Sequence, residues 1–299
     1  IHLGSFTVQP AEFMKIGMVL ILSYMLTETD SAFVVKGKFR TAELKSKFYK
    51  DKFNKCVLFP LALMVFAFGI GVIVQKDLGS SLILAAICFI CFMSTPRDYY
   101  KKYKKLVWIA LAVAVIILGF LITAVLQGYQ LQRIDSWLKP LKIENIYDSS
   151  WQLVNSLIAF TDGGIFGLGL GNSIQKYDYI PEAHNDFIGA IIYEELGIFG
   201  LALMIIPTAI IIFRLLKYAD QIQNNKSRVI LIGIASYFML HLFVNLGGVS
   251  GLIPMTGVPL LLVSSGGSST IAALIAIGIA QAIISKFNKE QLEKTDTQL

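Results

Sequence analysis

GGIFGLGLGNSIQKYDYIPEAHNDFIGAIIYEELG, residues 163–197, is the stretch from which the rest of the chain is best read. It opens as a glycine-rich, irregular segment and turns polar through Lys176, Asp178, Glu182, His184 and Asp186. It then runs without a break into an apolar helix that carries two adjacent carboxylates, Glu194 and Glu195. Charged groups at the mouth of a membrane helix are costly to hold there, which makes them a functional-site hypothesis by default. At about 100° per residue, Asp186, Tyr193 and Gly197 fall on one stripe, with Gly189 and Ala190 beside it. That stripe is expected to lead with a carboxylate and to present small residues where another helix can come close.

The composition sets the class. Of 299 residues, 55% are apolar and 15% charged, against about 25% charged in soluble domains. The apolar residues gather in long runs nearly free of charge, of the length that crosses roughly 30 Å of hydrocarbon. The expectation is an all-α polytopic membrane protein, one integral membrane domain over 1–299. It has seven spans near 10–27, 56–75, 79–94, 106–126, 186–214, 229–247 and 266–285. Basic residues fill the loop after the first span (Lys36 to Lys55), the loop after the third (Arg97 to Lys105), and the loop after the fifth (Lys217, Lys226, Arg228). The tail adds Lys286 and Lys289. With seven spans all four segments share one face, which the positive-inside rule makes cytoplasmic. The tail 286–299 is then cytoplasmic and the long loop 127–185 extracytoplasmic. The net charge of +6 is explained by topology rather than nucleic acid. The chain begins at Ile1, in what looks like an extramembrane loop, so an N-terminal part is expected to be missing.

Loop 127–185 is far longer than ordinary connections, which points to function. It contains an amphipathic piece at 129–141 suited to the membrane–water interface. Segment 248–265 carries Pro254 and Pro259 yet is otherwise apolar, and irregular backbone at membrane depth must be buried in protein or line a cavity. The Cys88-x-x-Cys91 pair lies within an apolar span with no second pair nearby, and reads as small apolar filler.

Polar groups collect on the non-cytoplasmic side: Gln9, Glu12, Lys76, Asp77, Arg133, Asp135, Lys176, Asp178, Glu182, His184 and Asp186. A mixture of cations and carboxylates suits an anionic substrate that also undergoes proton transfer. Asp186 is either a catalytic carboxylate or, with Asn185, a helix N-cap. Glu194 and Glu195 lie about 12–14 Å further along the helix and read as buried anchors in need of partners. Glu12 and Lys15, three apart, can satisfy each other. Asp77 is a further structural candidate, and His241 reads as a hydrogen-bonded interior histidine. The glycines at 163, 164, 167, 169 and 171 follow no strand and are not a nucleotide loop. They let the backbone turn tightly or approach a neighbour.

The motifs resemble the SEDS family (shape, elongation, division and sporulation). QPAEFMK (9–15) is similar to the family's entry to a span, and QKDLGSS (75–81) to its QPDLG turn. QLQRIDSWLKP (130–140), the whole of 151–197, and GLIPMTGVPLLLVSSGGSS (251–269) resemble further family segments. GNSIQK followed by YIPEAH resembles the division branch, FtsW, more than the elongation branch, RodA. The family has ten spans, and the seven here correspond to its last seven. Asn185, Lys76 and Ser265 depart from the family's usual Thr, Pro and Tyr or Gln.

The resemblance implies a peptidoglycan glycosyltransferase that polymerises lipid II into glycan strands during division. It works at the extracytoplasmic face of the bacterial cell membrane, beside a class B penicillin-binding protein and other divisome membrane proteins. Asp186 matches the family's loop aspartate and is expected to be the general base. Arg133 and Lys176 are candidates for holding pyrophosphate, supported by Glu182 and His184. A divalent cation, magnesium or manganese, is the one cofactor with a place in this scheme, and the metal itself is unknown. The rivals are a lipid II flippase, a scaffold that recruits a transpeptidase, and an elongation-type polymerase. A flippase would want polar groups along a whole path across the membrane, and only Glu194, Glu195 and His241 lie deeper.

Overall fold

The computed structural model describes residues 2–3, 6–7, 9–27, 53–75, 77–95, 104–105, 135–142 and 150–296. After a two-residue antiparallel ladder, β1 (His2–Leu3) with β2 (Phe6–Thr7), the regular elements among these residues are helical. The helices are α1 (Pro10–Thr27), α2 (Phe59–Gly69), α3 (Leu78–Ser94), α4 (Trp151–Gly163), α5 (Ile188–Gln221), α6 (Asn225–Val249) and α7 (Gly267–Asp296). π-helical turns, Asn54–Leu58 and Ile70–Val74, flank α2 at either end. Among the described residues, α1, α5, α6 and α7 are long and apolar enough to cross a membrane, while Phe59–Val74 and α3 are shorter apolar helices. The expected span 106–126, Arg133 and Lys76 lie outside the described residues.

The chain divides into two compact units. The first comprises Ile1–Thr95, Ile210–Met239 and Gly267–Leu299. Here α1 packs on α3 and α7. Pro10 opens α1, where a missing N–H costs nothing because first-turn N–H groups have no helical partner. Gly233 lets α6 lie directly on α1 and α3: a Cβ there would sit 2.6 Å from Val19 Cγ1 and 2.9 Å from Cys91 Sγ. Cys88 and Cys91 are free and buried, acting as the expected filler. The expected Glu12–Lys15 pair forms at 2.7 Å and is fully buried. It has a third member that sequence spacing does not reveal, because the Tyr237 hydroxyl donates to Glu12 Oε2 at 3.0 Å. Asp77 caps α3, its Oδ1 accepting from Ser80 N at 2.9 Å. Large apolar side chains such as Phe59, Val65, Phe66 and Ile73 point outward, as a lipid-facing surface requires.

The second unit comprises Pro96–Ala209 and Leu240–Gly266. Its core is Ala159, Ile180, Ala183, Phe187, Ala190, Ile191 and Val249. The loop expected at 127–185 contains a helix of its own, α4, tied to α6 where Ser156 Oγ donates to the Val249 carbonyl at 2.6 Å.

Residues 286–296 continue α7 as helix. One expectation changes here. The helix expected to run unbroken from 186 starts at Ile188 and is interrupted at Gly197, with φ 60° and ψ −139°. Asp186, Tyr193 and Gly197 therefore do not share one continuous helical stripe. The break is spliced by the glycine loop. The Glu194 and Glu195 carbonyls accept from Leu168 N and Gly169 N, both at 2.9 Å, and Ile198 N donates to Ile165 O at 3.0 Å. Only glycines permit this approach. A Cβ on Gly163 would stand 2.5 Å from the Tyr193 carbonyl, and one on Gly197 would collide with the Ile165 carbonyl. The small residues do admit close neighbours: the glycine loop at Gly197 and, at Gly189, helix α6, where a Cβ would stand 3.3 Å from Leu246 Cδ2.

Gly197→Ala should lower the thermal unfolding temperature, since the φ/ψ strain alone costs about 1–3 kcal/mol. Gly278→Ala, mid-helix with open space around it, should leave stability unchanged or raise it by up to about 1 kcal/mol. Unfolding of the two variants in detergent, side by side with the parent, tests this.

Candidate active site

Two neighbouring carboxylates of α5 hold the loop that leads to Asp186. Glu194 is fully buried. Its carboxylate accepts from Ser173 Oγ at 2.5 Å, from Ile174 N at 2.9 Å and from Gln175 N at 3.4 Å. Consecutive backbone N–H groups folded around one anion form a nest, and this is how the buried charge is compensated without a cation in direct contact. Glu195 is mostly buried and takes Lys176 Nζ at 2.8 Å together with Ser173 N at 3.4 Å. Lys176 also donates to the Gly171 carbonyl at 2.5 Å. Its hydrogen bond to Glu195, above all, holds the Lys176 ammonium above its ordinary pKa of 10.5. The structural role expected for Glu194 and Glu195 is thus visible as named bonds. Lys176 is committed to this anchor and does not line the cavity beside Asp186.

The segment after α6 fixes Asn185 and Asp186. Asn245, only 1% exposed, donates through Nδ2 to the Asp186 carbonyl at 2.7 Å and to the Val258 carbonyl at 2.8 Å. Ser264 Oγ donates to the Asn185 carbonyl at 2.7 Å, and Ser265 Oγ to Asn185 Oδ1 at 2.5 Å. Ser265 N donates to the His184 carbonyl at 3.0 Å. Gly257 has φ +70° and faces the carboxylate, so that a Cβ there would lie 3.2 Å from Asp186 Oδ2. His241 is buried, and its Nδ1 bonds the Pro259 carbonyl at 3.2 Å, steadying the same segment. Within this segment Val258, Leu260, Leu261 and Ser264 are buried and Pro254 to Gly257 line the cavity, whereas Leu252 and Leu262 are exposed, so the expectation that the whole segment is buried or cavity-lining holds only in part.

A cavity of about 270 Å³ opens beside Asp186, walled by Trp137, Gln152 and Thr256 among others. Asn185 neither caps α5 nor points at this cavity; its amide bonds Glu182 Oε2 at 2.7 Å and Ser265. Glu182 and His184 are exposed and are not part of the cavity wall. No cluster of three or more His, Cys, Asp or Glu side chains able to hold a metal ion occurs among the described residues. Asn245, Trp137, Gln152 and Thr256 are the residues that sequence reasoning passed over. A lone Asn in the apolar run 229–247 was the one available signal.

The sequence profile of the FtsW/RodA/SpoVE cell cycle proteins matches residues 1–290. This chain belongs to that family. It is 34% identical over 290 residues to the Bacillus subtilis "Probable peptidoglycan glycosyltransferase FtsW", covering 96% of this chain and 66% of that one. It is 31% identical to the Bacillus subtilis stage V sporulation protein E, covering 93% and 69%. The Haemophilus influenzae "Probable peptidoglycan glycosyltransferase FtsW" is 34% identical, with 93% and 65% covered. The chain thus spans about two thirds of the length of these relatives. Among solved structures, a chain from work on a peptidoglycan synthase complex that couples polymerization and crosslinking aligns with TM-score 0.63 at 23% identity, covering 94% and 70%. The Thermus thermophilus rod shape determining protein RodA aligns with TM-score 0.54 at 22% identity, covering 94% and 66%. The fold is therefore shared with both.

Glu194→Ala strands three donors of loop 173–175 and should destabilise the protein by about 2–4 kcal/mol. Hydrogen exchange at the Ile174 and Gln175 amides should accelerate more than elsewhere. The Lys176–Glu195 tie needs both charges and so has two pH limits. A lysine pKa raised by folding stabilises below the unfolded value of 10.5 and loses that contribution as pH climbs through the folded one. Loop protection from exchange should accordingly be flat through neutral pH and fall at both extremes: above about pH 10.5, as Lys176 loses its proton, and in acid, as Glu195 gains one.

Proposed function

We propose that this chain is the membrane region of a peptidoglycan glycosyltransferase of the division type, polymerising lipid II at the extracytoplasmic face of the cell membrane. The observation that carries the proposal is the placement of Asp186: a carboxylate on a cavity wall, its own carbonyl held by Asn245 and those of the two preceding residues, Asn185 and His184, by Ser264 and Ser265. The names of the relatives, two of them called peptidoglycan glycosyltransferases, support the same reading.

The chemistry asks little of the protein beyond one base and some positive charge. The 4-hydroxyl of the acceptor sugar attacks the anomeric carbon of the donor, forming the new O–C bond. Its proton goes to Asp186, and the anomeric C–O bond to undecaprenyl pyrophosphate breaks with the electron pair leaving on the phosphate. Pyrophosphate needs no protonation to depart, so a single carboxylate suffices where a glycosidase uses two. The developing charge calls for cations. With Lys176 held by Glu195, Arg133 is the candidate that remains for this task, and Lys176 acts by holding the loop. The lipid tail of the substrate stays in hydrocarbon while its sugars reach the cavity, which accounts for a transferase built from spans. A class B penicillin-binding protein is the expected partner, because glycan strands must be crosslinked as they form.

The test is polymerisation of labelled lipid II by the full-length protein with that partner, parent beside Asp186→Asn. The substitution keeps size and removes basicity, and it should cut the rate by about 100-fold or more while leaving the unfolding temperature unchanged. Full activity in Asp186→Asn would refute the base assignment. Transbilayer movement of lipid II without polymer from the parent would favour a flippase instead.

A further inference from the structure

The first unit carries a groove of its own, between the last turns of α5 and the middle of α7. Both helices run toward the end where Lys217, Lys226, Lys286 and Lys289 collect, the face that the positive-inside rule makes cytoplasmic. An edge-on contact of Tyr218 with Phe287, 6.3 Å between ring centroids, sets the two helices in register. Leu215 and Ala280, both buried, form the floor. Polarity is graded along the groove. Ile211 and Ile277 lie at the end nearer the bilayer centre, Arg214 and Gln281 about one turn further out, and Tyr218 and Asn288 beyond them.

Arg214 is the residue that composition does not explain. It stands about 10 Å before the α5 end at Gln221, between the exposed side chains of Phe213 and Leu216. A guanidinium at that depth on a lipid-facing surface is costly unless it reaches an anion. Arg214, Gln281 and Asn288 make no side-chain hydrogen bond or ion pair among the described residues. Lys217, three residues on and so a helical neighbour, is unpaired among them too, while Asp220 leans on Arg228 at 4.0 Å.

A molecule that fits this gradient has a negative head toward the cytoplasm and an apolar chain toward the bilayer centre. None of the described residues lining the groove is Asp or Glu, so a zwitterionic head would bring its own cation to Arg214 and Lys217 with no acid to receive it. At about 250 Å³ the space is smaller than one turn of a helix about 10 Å across, too small for a membrane helix and enough for a phosphate head with its first methylenes. We infer that this groove binds an anionic phospholipid of the cytoplasmic leaflet: phosphate on Arg214, amide N–H groups of Gln281 and Asn288 donating to its oxygens, and an acyl chain against Ile211 and Ile277. Basic pockets between spans on the cytoplasmic side are suited to such headgroups. Asp186 belongs to the other unit, and lipid would bind here whether or not the chain polymerises glycan.

The probe is phosphatidylglycerol, with phosphatidylcholine of the same chains beside it, added to the full-length protein in detergent. Native mass spectrometry counts the bound lipid, and thermal unfolding is measured alongside. The parent should retain one phosphatidylglycerol in preference to phosphatidylcholine. Arg214→Gln should weaken that binding about tenfold or more, as loss of a hydrogen bond to a charged group does, and Gln281→Leu about fivefold. Ile277→Trp, which fills the deep end and keeps every polar group, should weaken it as well. Lys289→Gln removes a cation that pairs with Glu293 outside the groove and should change nothing. Equal affinity for the two lipids, parent-like binding by Arg214→Gln and Gln281→Leu, or an equal loss in Lys289→Gln would each overturn the inference. Displacement by soluble glycerol phosphate would overturn it in favour of a free phosphate ester. A parent that retains no lipid but a membrane protein released by Ile277→Trp would overturn it in favour of a partner helix. If Ile277→Trp fails to fold, Arg214→Gln, at an exposed position, decides the matter.

Discussion

The second unit depends on two carboxylates that sit in an apolar helix and look inward to a loop. Glu194 cannot stay ionised in that setting without donors, and the chain supplies them from its own backbone at residues 174 and 175 and from the Ser173 hydroxyl. A buried anion satisfied by amides is directional: the loop must adopt one shape to present three donors at once. Glu195 then adds Lys176. The glycine splice at 163–169 against 194–198 works in the same sense, replacing helical hydrogen bonds lost at Gly197 with bonds to the loop. Unmet backbone groups in a span are too costly to leave, so the break and the loop are one structure.

That rigidity is delivered to Asp186 from both chain directions. Upstream, the anchored loop feeds Ile180 and Ala183 into the core, which Phe187 joins from the residue after Asp186. Downstream, the irregular segment after α6 reaches back with Ser264, Ser265 and, through Asn245, the Val258 carbonyl. Backbone bonds of this kind fix where the carboxylate starts from. Such preorganisation is what a general base requires, since the group must wait at the right distance and angle before substrate arrives.

Several features were legible in the residues. Hydropathy runs located the helices described at 10–27, 78–94, 188–221, 225–249 and 267–296, because a bilayer thickness imposes its length on any span. Spacing alone paired Glu12 with Lys15, three residues being one helical neighbour. The demand of buried charge for partners marked Glu194 and Glu195 as anchors before any partner was known. The prolines in 248–265 excluded a helix there, and segment 250–266 is indeed irregular.

Local pattern carried no information on who those partners are. Lys176 looked like a free cation in a polar loop, and only the fold turns it toward Glu195, nineteen residues away. Tyr237 joins Glu12 across 225 residues, and Asn245 finds Asp186 across 59. The helical wheel that put Asp186, Tyr193 and Gly197 on one stripe assumed unbroken helix, whereas the glycine loop made a break at Gly197 affordable. Span positions, charge pairs at helical spacing and the need for anchors follow from the sequence, because each is a property of a short segment in its solvent. Which carbonyl, amide or ammonium answers each need is decided by tertiary structure, because those groups meet only when distant segments are brought together.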